Sequence, residues 1–401
     1  MTKPATITSP LVGDATAASI FVTVLTRGPI ARNEIAQRLG LSPATVSKAV
    51  RPMMEAGYLV ESGAQPGAQP GAGSRALPGG SEEEAAQSRP GRPLVPLRVV
   101  AEREYVVGLK LAADHISGVA VDLLANVRAT AEAPLPRHDV DDTVAAMTRL
   151  VDTLRGEVAS LGGQVTRLGV GLGGHVDFRR GLVRYAPFLE WRDVPLAGLL
   201  QEATGLPVVV ENDVNSLTVA EQWFGAGVDV PSFAVVTIGA GVGCGFVVDG
   251  ALVHGAAGLA GELGHVPILP DGPKCPRCGN RGCVESVATE EAILHQVRAA
   301  SGGTPIDITA AAALARDNHA GAAAAFTAAG DALGRARAIV ANLLNPHRIV
   351  LSGEGLAASD LFESAARESF ARHAFGEAVA CDLVTRALPD HTWARGAAAV
   401  A

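Results

Sequence analysis

The chain has 401 residues, 48% of them hydrophobic and 18% charged. That is ample for large buried cores in two or three domains and excludes wholesale disorder. The net charge of −8 is uneven: residues 1–60 carry six Lys/Arg against three Asp/Glu, residues 61–100 balance at four each, and the rest holds about −11. A basic head on an acidic body confines contact with a polyanion to the head. Met1-Thr2-Lys3-Pro4 lacks the apolar core of a secretion signal. The longest apolar run, Phe233 to Val248, is interrupted by Gly239, Gly241, Gly243 and Gly245. It reads as strand, turn, strand rather than a membrane helix, so a cytoplasmic protein is expected.

The first elements in chain order are helical. Ala31–Leu39 is a short amphipathic helix, and Gly40 supplies the left-handed residue of a tight corner. Ser42 is a good N-cap and Pro43 a favoured first helical residue. Val46, Val50, Met53 and Met54 then fall on one face, with Thr45, Ser47, Lys48 and Arg51 opposite. Short polar and basic side chains near a helix start suit base edges and phosphates in a major groove, so Ser42, Thr45, Ser47, Lys48 and Arg51 are the expected DNA contacts. Pro52 is expected to kink or end the helix near that point. Tyr58–Val60 and Leu94–Val99 read as two wing strands, with Arg92 placed to enter a minor groove. Between them, residues 62–92 are low-complexity, a Gly-Ala-Gln-Pro repeat followed by Glu82-Glu83-Glu84, and read as a mobile wing insert. The winged helix-turn-helix domain is therefore expected over 12–99.

From residue 100 to 401 apolar strands alternate with Ala-rich helices, which implies α/β layers. Strands are expected at Tyr105–Leu111, Gly118–Leu123, Arg167–Leu172, Val208–Val210, Phe233–Ile238, Gly245–Val248 and Arg348–Leu351. Helices are expected at Asp142–Ala159, Ser216–Trp223, Ala288–Ala299, Gly321–Leu344 and Leu361–Ala371. Three of the five cysteines, Cys275, Cys278 and Cys283, crowd together ten residues after His265. An odd, clustered count points to a metal rather than to disulfides. His265, Cys275, Cys278 and Cys283 make a closed set that zinc prefers, structural rather than hydrolytic.

These residues resemble the ROK family, which groups sugar kinases with sugar-responsive repressors of the xylose and N-acetylglucosamine type. The carriers are Gly261-Glu262-Leu263-Gly264-His265 with the cysteine run to Glu285, Glu211-Asn212-Asp213-Val214-Asn215, Gly169–Asp177, and the ending Ala394–Ala401. The resemblance implies an α/β, actin-like, two-lobed (ribonuclease H-like) sugar-kinase fold behind the winged helix-turn-helix. It also implies a sugar site at Asn212, Asp213, Glu262, His265 and Glu285, with Asp213 the base of the kinases. The chain departs from the family pattern in several places. Its first cysteine pair, Cys275-x-x-Cys278, is one residue longer than the common form. Phe188 stands where the family often has Asn. The phosphate motif after the first strand reads Lys110-Leu111-Ala112-Ala113-Asp114-His115, so Lys110 replaces a metal-facing Asp and alanines replace glycines that admit phosphate. The second loop, Gly239–Gly243, keeps its glycines but lacks a hydroxyl at Ala240. ATP is therefore not expected as a ligand.

The leading expectation is a non-enzymatic, sugar-responsive regulator, a repressor of carbohydrate metabolism acting on operator DNA as a homodimer or homotetramer. The alternative is an ATP-dependent sugar kinase of the hexokinase or glucokinase type with an added head; a third is a zinc or redox sensor.

Overall fold

The computed structural model describes residues 15–62, 95–388 and 391–401. They form two compact units that divide between Arg103 and Glu104.

In the first unit three helices, Ala15–Arg27, Arg32–Leu39 and Pro43–Glu55, precede an antiparallel pair, Leu59–Glu61 with Leu97–Val99. Gly40 closes the second helix at φ 64°, a conformation that costs glycine little. The Ser42 hydroxyl accepts the Thr45 N–H at 3.1 Å and starts the third helix. That helix continues three residues past Pro52, because a proline near a helix end removes only one interior bond. Val46, Val50 and Met53 are buried, while Met54 is half-buried and receives an Arg32 N–H on its sulfur. Arg92 and most of the insert expected over 62–92 lie outside the described residues.

The second unit holds two five-stranded sheets of the same design. The first runs Val208–Asn212, Val165–Leu172, Tyr105–Leu111, His115–Asp122, Val127–Pro134. The second runs Asp382–Thr385, Arg348–Ser352, Phe233–Ile238, Val242–Val248, Ala251–Leu252. In each, two parallel neighbours join an antiparallel meander of three. Each sheet builds its own hydrophobic core, which gives the actin-like, two-lobed arrangement. The first core takes the stripe Ala146, Met147, Leu150, Val151, Leu154 and Val158 from the helix Val140–Ser160, capped by Asp139. The second takes the Ala-rich helix Ala320–Leu344. Its Gly330 and Gly334 let the backbone of Ser359–His373 approach closely. A small three-stranded sheet, His175–Asp177, Leu182–Ala186 and Trp191–Val194, extends from the first lobe.

The C-terminal helix Thr392–Ala399 lies on the first sheet where Gly108 and Gly169 leave room. A Cβ at Gly169 would collide with the carbonyl of Ala397, which is backbone and cannot rotate away. Gly169→Ala is therefore expected to cost about 1–3 kcal/mol, read as a lower urea midpoint with an unchanged slope. An unchanged midpoint would show that the helix shifts freely.

Candidate functional sites

The third helix of the first unit presents Ser42, Thr45, Ser47, Lys48 and Arg51 to solvent on one side, as expected of a recognition helix. Arg51 is held by Glu55 at 2.8 Å with both side chains exposed. Such a pair is worth little in water, so the guanidinium is free to move to a phosphate. Arg98, exposed on the strand Leu97–Val99 between buried Leu97 and Val99, adds a cation that the sequence pattern does not single out. Arg51→Ala is expected to weaken operator binding several-fold and to lower the salt slope by about one, as loss of one phosphate contact does. Unchanged affinity across a salt series would remove Arg51 from the footprint.

In the second unit the chain turns sharply between Cys275 and Cys283. Cys275 N–H donates to the Asn280 carbonyl at 2.7 Å, and Gly279 and Gly282 take φ of 78° and 69°. This hairpin and the short turn Leu263–His265 bring His265, Cys275, Cys278 and Cys283 together, with one ligand atom from each within 4.8 Å of the others. The Cys275 Sγ to His265 Nδ1 distance is 3.8 Å and Cys278 Sγ to Cys283 Sγ is 3.6 Å. Tetrahedral zinc with bonds of about 2.0–2.3 Å has ligand-to-ligand edges of roughly 3.5–3.8 Å, so the cluster fits that ion. Burial pushes the Cys283 thiol up, and a cation at the centre would favour the thiolate there. The four residues form a group able to hold a metal.

A second polar group stands at the start of the helix Asp213–Phe224, which is capped by Asn212, whose Oδ1 accepts the N–H groups of Val214 and Asn215. Asn212 Nδ2 donates to the Gly174 carbonyl at 3.1 Å, so much of this side chain serves the backbone. Asp213 Oδ1 accepts its neighbour's N–H, and Oδ2 accepts from the Lys110 ammonium. Both side chains of this pair are largely buried: 15% and 14% remain exposed. Lys110 also sits 4.9 Å from the centre of the Trp393 ring. Behind them Glu211, 4% exposed, accepts from Asn215 and pairs with His254 at 2.8 Å.

Glu285 begins a buried turn of helix. Its Oε1 accepts the Val242 N–H at 3.0 Å, while Oε2 lies 3.8 Å from His265 Nδ1 and 3.4 Å from Arg277 Nε. Glu262 is exposed as a residue, yet neighbouring protein strips water from its carboxyl and raises its pKa, with His265 opposing and Glu285 adding. The expected sugar contacts thus form two groups, Asn212–Asp213 and Glu262–His265–Glu285. Phe188 lies near Gly173 together with Asp213 Oδ2, and its ring carries the Arg277 guanidinium at 4.1 Å. Arg277 and Glu211 are not among the contacts expected from the sequence; Glu211 at least stands inside the Glu-Asn-Asp run. Glu354, in Gly353-Glu354-Gly355, packs its carboxylate against Gly239 of the second glycine loop. Asp114, by contrast, is exposed and held by His115 at 2.7 Å.

Comparisons with known proteins agree with this architecture. Residues 106–401 match the model of the ROK family and residues 24–60 that of a winged helix-turn-helix DNA-binding domain. The chain is 36% identical over 225 residues to a glucokinase of Halalkalibacterium halodurans, spanning 52% of this chain and 67% of that one. It is 27% identical over 356 residues to the DNA-binding transcriptional dual regulator NagC of Escherichia coli, spanning 86% and 81%. A crystal structure of a ROK family transcriptional regulator, a homolog of the E. coli MLC protein, superposes with a TM-score of 0.78 at 28% identity, covering 96% of this chain and 94% of that one. With the family model spanning nearly three-quarters of the sequence, the chain belongs to the ROK family and carries a winged helix-turn-helix ahead of the family domain.

Proposed function

We propose that the chain is a sugar-responsive DNA-binding regulator, a repressor, whose cleft senses sugar without phosphorylating it. The observation that carries this reading is the Lys110–Asp213 ion pair. In a sugar kinase of this design the carboxylate of Asp213 would take a hydroxyl proton. Here its outer oxygen is occupied by an ammonium. That ammonium replaces the acid that would face magnesium and would repel the ion. The Glu354 carboxylate against Gly239 adds a negative charge beside the loop that would cradle phosphate. Three features needed for phosphoryl transfer are thus reversed in charge or blocked, while the DNA-reading helix keeps its capped and exposed polar face.

His265, Cys275, Cys278 and Cys283 would hold zinc, which would supply a fixed closed anchor rather than an activated water. His265 would present its Nδ1 to the metal, leaving Nε2 for a sugar hydroxyl. Glu262 and Glu285, which flank the ligands, would be oriented by the same anchor. Sugar bound to these groups and to Asp213 would favour one lobe arrangement, and a difference in sugar affinity between two arrangements is what changes operator binding. In a dimer the two recognition helices would meet half-sites about 34–36 Å apart.

The test is fluorescence anisotropy on the promoter fragment flanking the chain's own gene, with and without a panel of free sugars and sugar phosphates. A sugar that shifts the DNA affinity is expected. A coupled assay showing ADP release with any common hexose would overturn the non-kinase half of the proposal and favour the glucokinase reading.

A further inference from the structure

The structure assigns a ligand-selecting role to Arg277: we infer that it recognises an acidic group, a phosphate or a carboxylate, carried by the sugar. This rests on the reading of the cleft as a sugar site.

Arg277 lies between Cys275 and Cys278, in the pair that is one residue longer than the common form. It does not point away from the protein. Its guanidinium lies 4.1 Å from the centre of the Phe188 ring, Nη2 donates to the Ala240 carbonyl at 3.1 Å, and Nε stands 3.4 Å from Glu285 Oε2. One side chain thus reaches from the metal hairpin to the turn after Leu182–Ala186 and to the second glycine loop. Its side chain is 24% exposed, so the group is partly desolvated yet still reachable.

The donor inventory favours an acidic partner. Arginine has five N–H groups. Among the described residues Arg277 makes one hydrogen bond, to Ala240, and Nε is turned toward Glu285. The other three N–H groups, all on the terminal nitrogens, have no partner there. Two of the acidic groups around it have other partners: Asp213 has Lys110 and Glu285 Oε1 has the Val242 N–H, while Glu285 Oε2 faces Nε alone. What the cleft has in excess is therefore a planar fork of donors, already held against an aromatic face so that little rotamer freedom is lost on binding. A carboxylate or phosphate accepts from such a fork through two oxygens at once, which a lone hydroxyl cannot do. Glu285 Oε2 is buried without a hydrogen bond and faces Arg277 Nε at 3.4 Å, so it orients the guanidinium and leaves the terminal nitrogens for the ligand.

The experiment measures binding to the full chain by titration calorimetry for three matched sets: glucose, mannose and N-acetylglucosamine, each with its 6-phosphate and its uronic acid. In at least one set an acidic member is expected to bind about tenfold or more tighter than its neutral parent. The 6-phosphate leading would name phosphate as the source, and the uronic acid leading would name carboxylate. Arg277→Gln is expected to bring that ratio close to one, and Arg277→Lys, which keeps charge but not the fork, to leave part of it. Metal content and melting temperature of the variants show whether each is folded. If a variant is not, the ratio in the unaltered protein still decides. Neutral sugars bound as tightly as both acids would overturn the inference and leave the sugar reading in place. The same ratio in a folded Arg277→Gln variant would also overturn it. Failure of every member of every set to bind would remove both.

Discussion

Replacing Cys283 with serine is expected to cost the metal, at least about 3 kcal/mol of stability and the response to sugar together. Cys283 is fully buried, and its Sγ is 3.6 Å from that of Cys278. Serine is nearly isosteric but cannot supply a thiolate, so three ligands would remain around a space suited to four. Residues 276–281 are all exposed, so no buried side chain among them would replace the lost ligand. Loss of the anchor would free His265 and the turn that carries Glu262, and would release Glu285 from one side. Metal content by mass spectrometry, a urea titration and operator anisotropy with sugar check the three consequences. Stoichiometric metal in the variant would show that Cys283 is not a ligand. Unaltered protein purified without metal, with normal melting and response, would reduce the cluster to a group of buried thiols.

Much of this architecture is legible in the sequence where the determinants are local. Gly40, Ser42 and Pro43 act on their own turn, so the corner and start of the recognition helix are where those residues place them. The cysteine cluster is legible for the same reason, since its four members fall within nineteen residues, His265 to Cys283. Strands that are apolar but for one residue, such as Tyr105–Leu111 and Phe233–Ile238, match their expected bounds because both faces are largely covered. Val127–Pro134 has no such signal. It is an edge strand of alternating small and charged residues, defined by its pairing with His115–Asp122. The short strands of the three-stranded sheet, Leu182–Ala186 among them, escape the sequence pattern for a similar reason.

The expected sugar site is legible as a set of residue types and not as a set of contacts. The sequence marks Lys110 as a departure from a kinase motif, but its partner Asp213 is 103 residues away. Only the parallel pairing of Tyr105–Leu111 with Val165–Leu172, and of that strand with Val208–Asn212, sets the two side chains at one end of one sheet. Arg277 is a similar case. Nothing in Cys-Pro-Arg-Cys says that the arginine turns inward, because Phe188, whose ring it lies on, comes from another part of the chain.

The ion pair makes the sharpest test of the sensor reading. Asp213→Asn is expected to weaken sugar binding about 10- to 100-fold, the worth of a charged hydrogen bond lost from a partly buried site, and to leave operator binding without sugar intact. The amide keeps the shape and the helix start but cannot balance Lys110, so a modest loss of stability accompanies it. Lys110→Met isolates the other half. It frees Asp213 Oδ2, which a sugar hydroxyl no longer has to share with an ammonium, and sugar is expected to bind at least as tightly as before. Phosphorylation is not expected to return with it: methionine supplies no ligand for magnesium, and Glu354 still lies against Gly239. Sugar titrations and an ADP-release assay on both variants separate the roles. A full sugar response in Asp213→Asn would place the sugar site elsewhere. ADP release from Lys110→Met would mean that the ammonium alone had silenced a kinase.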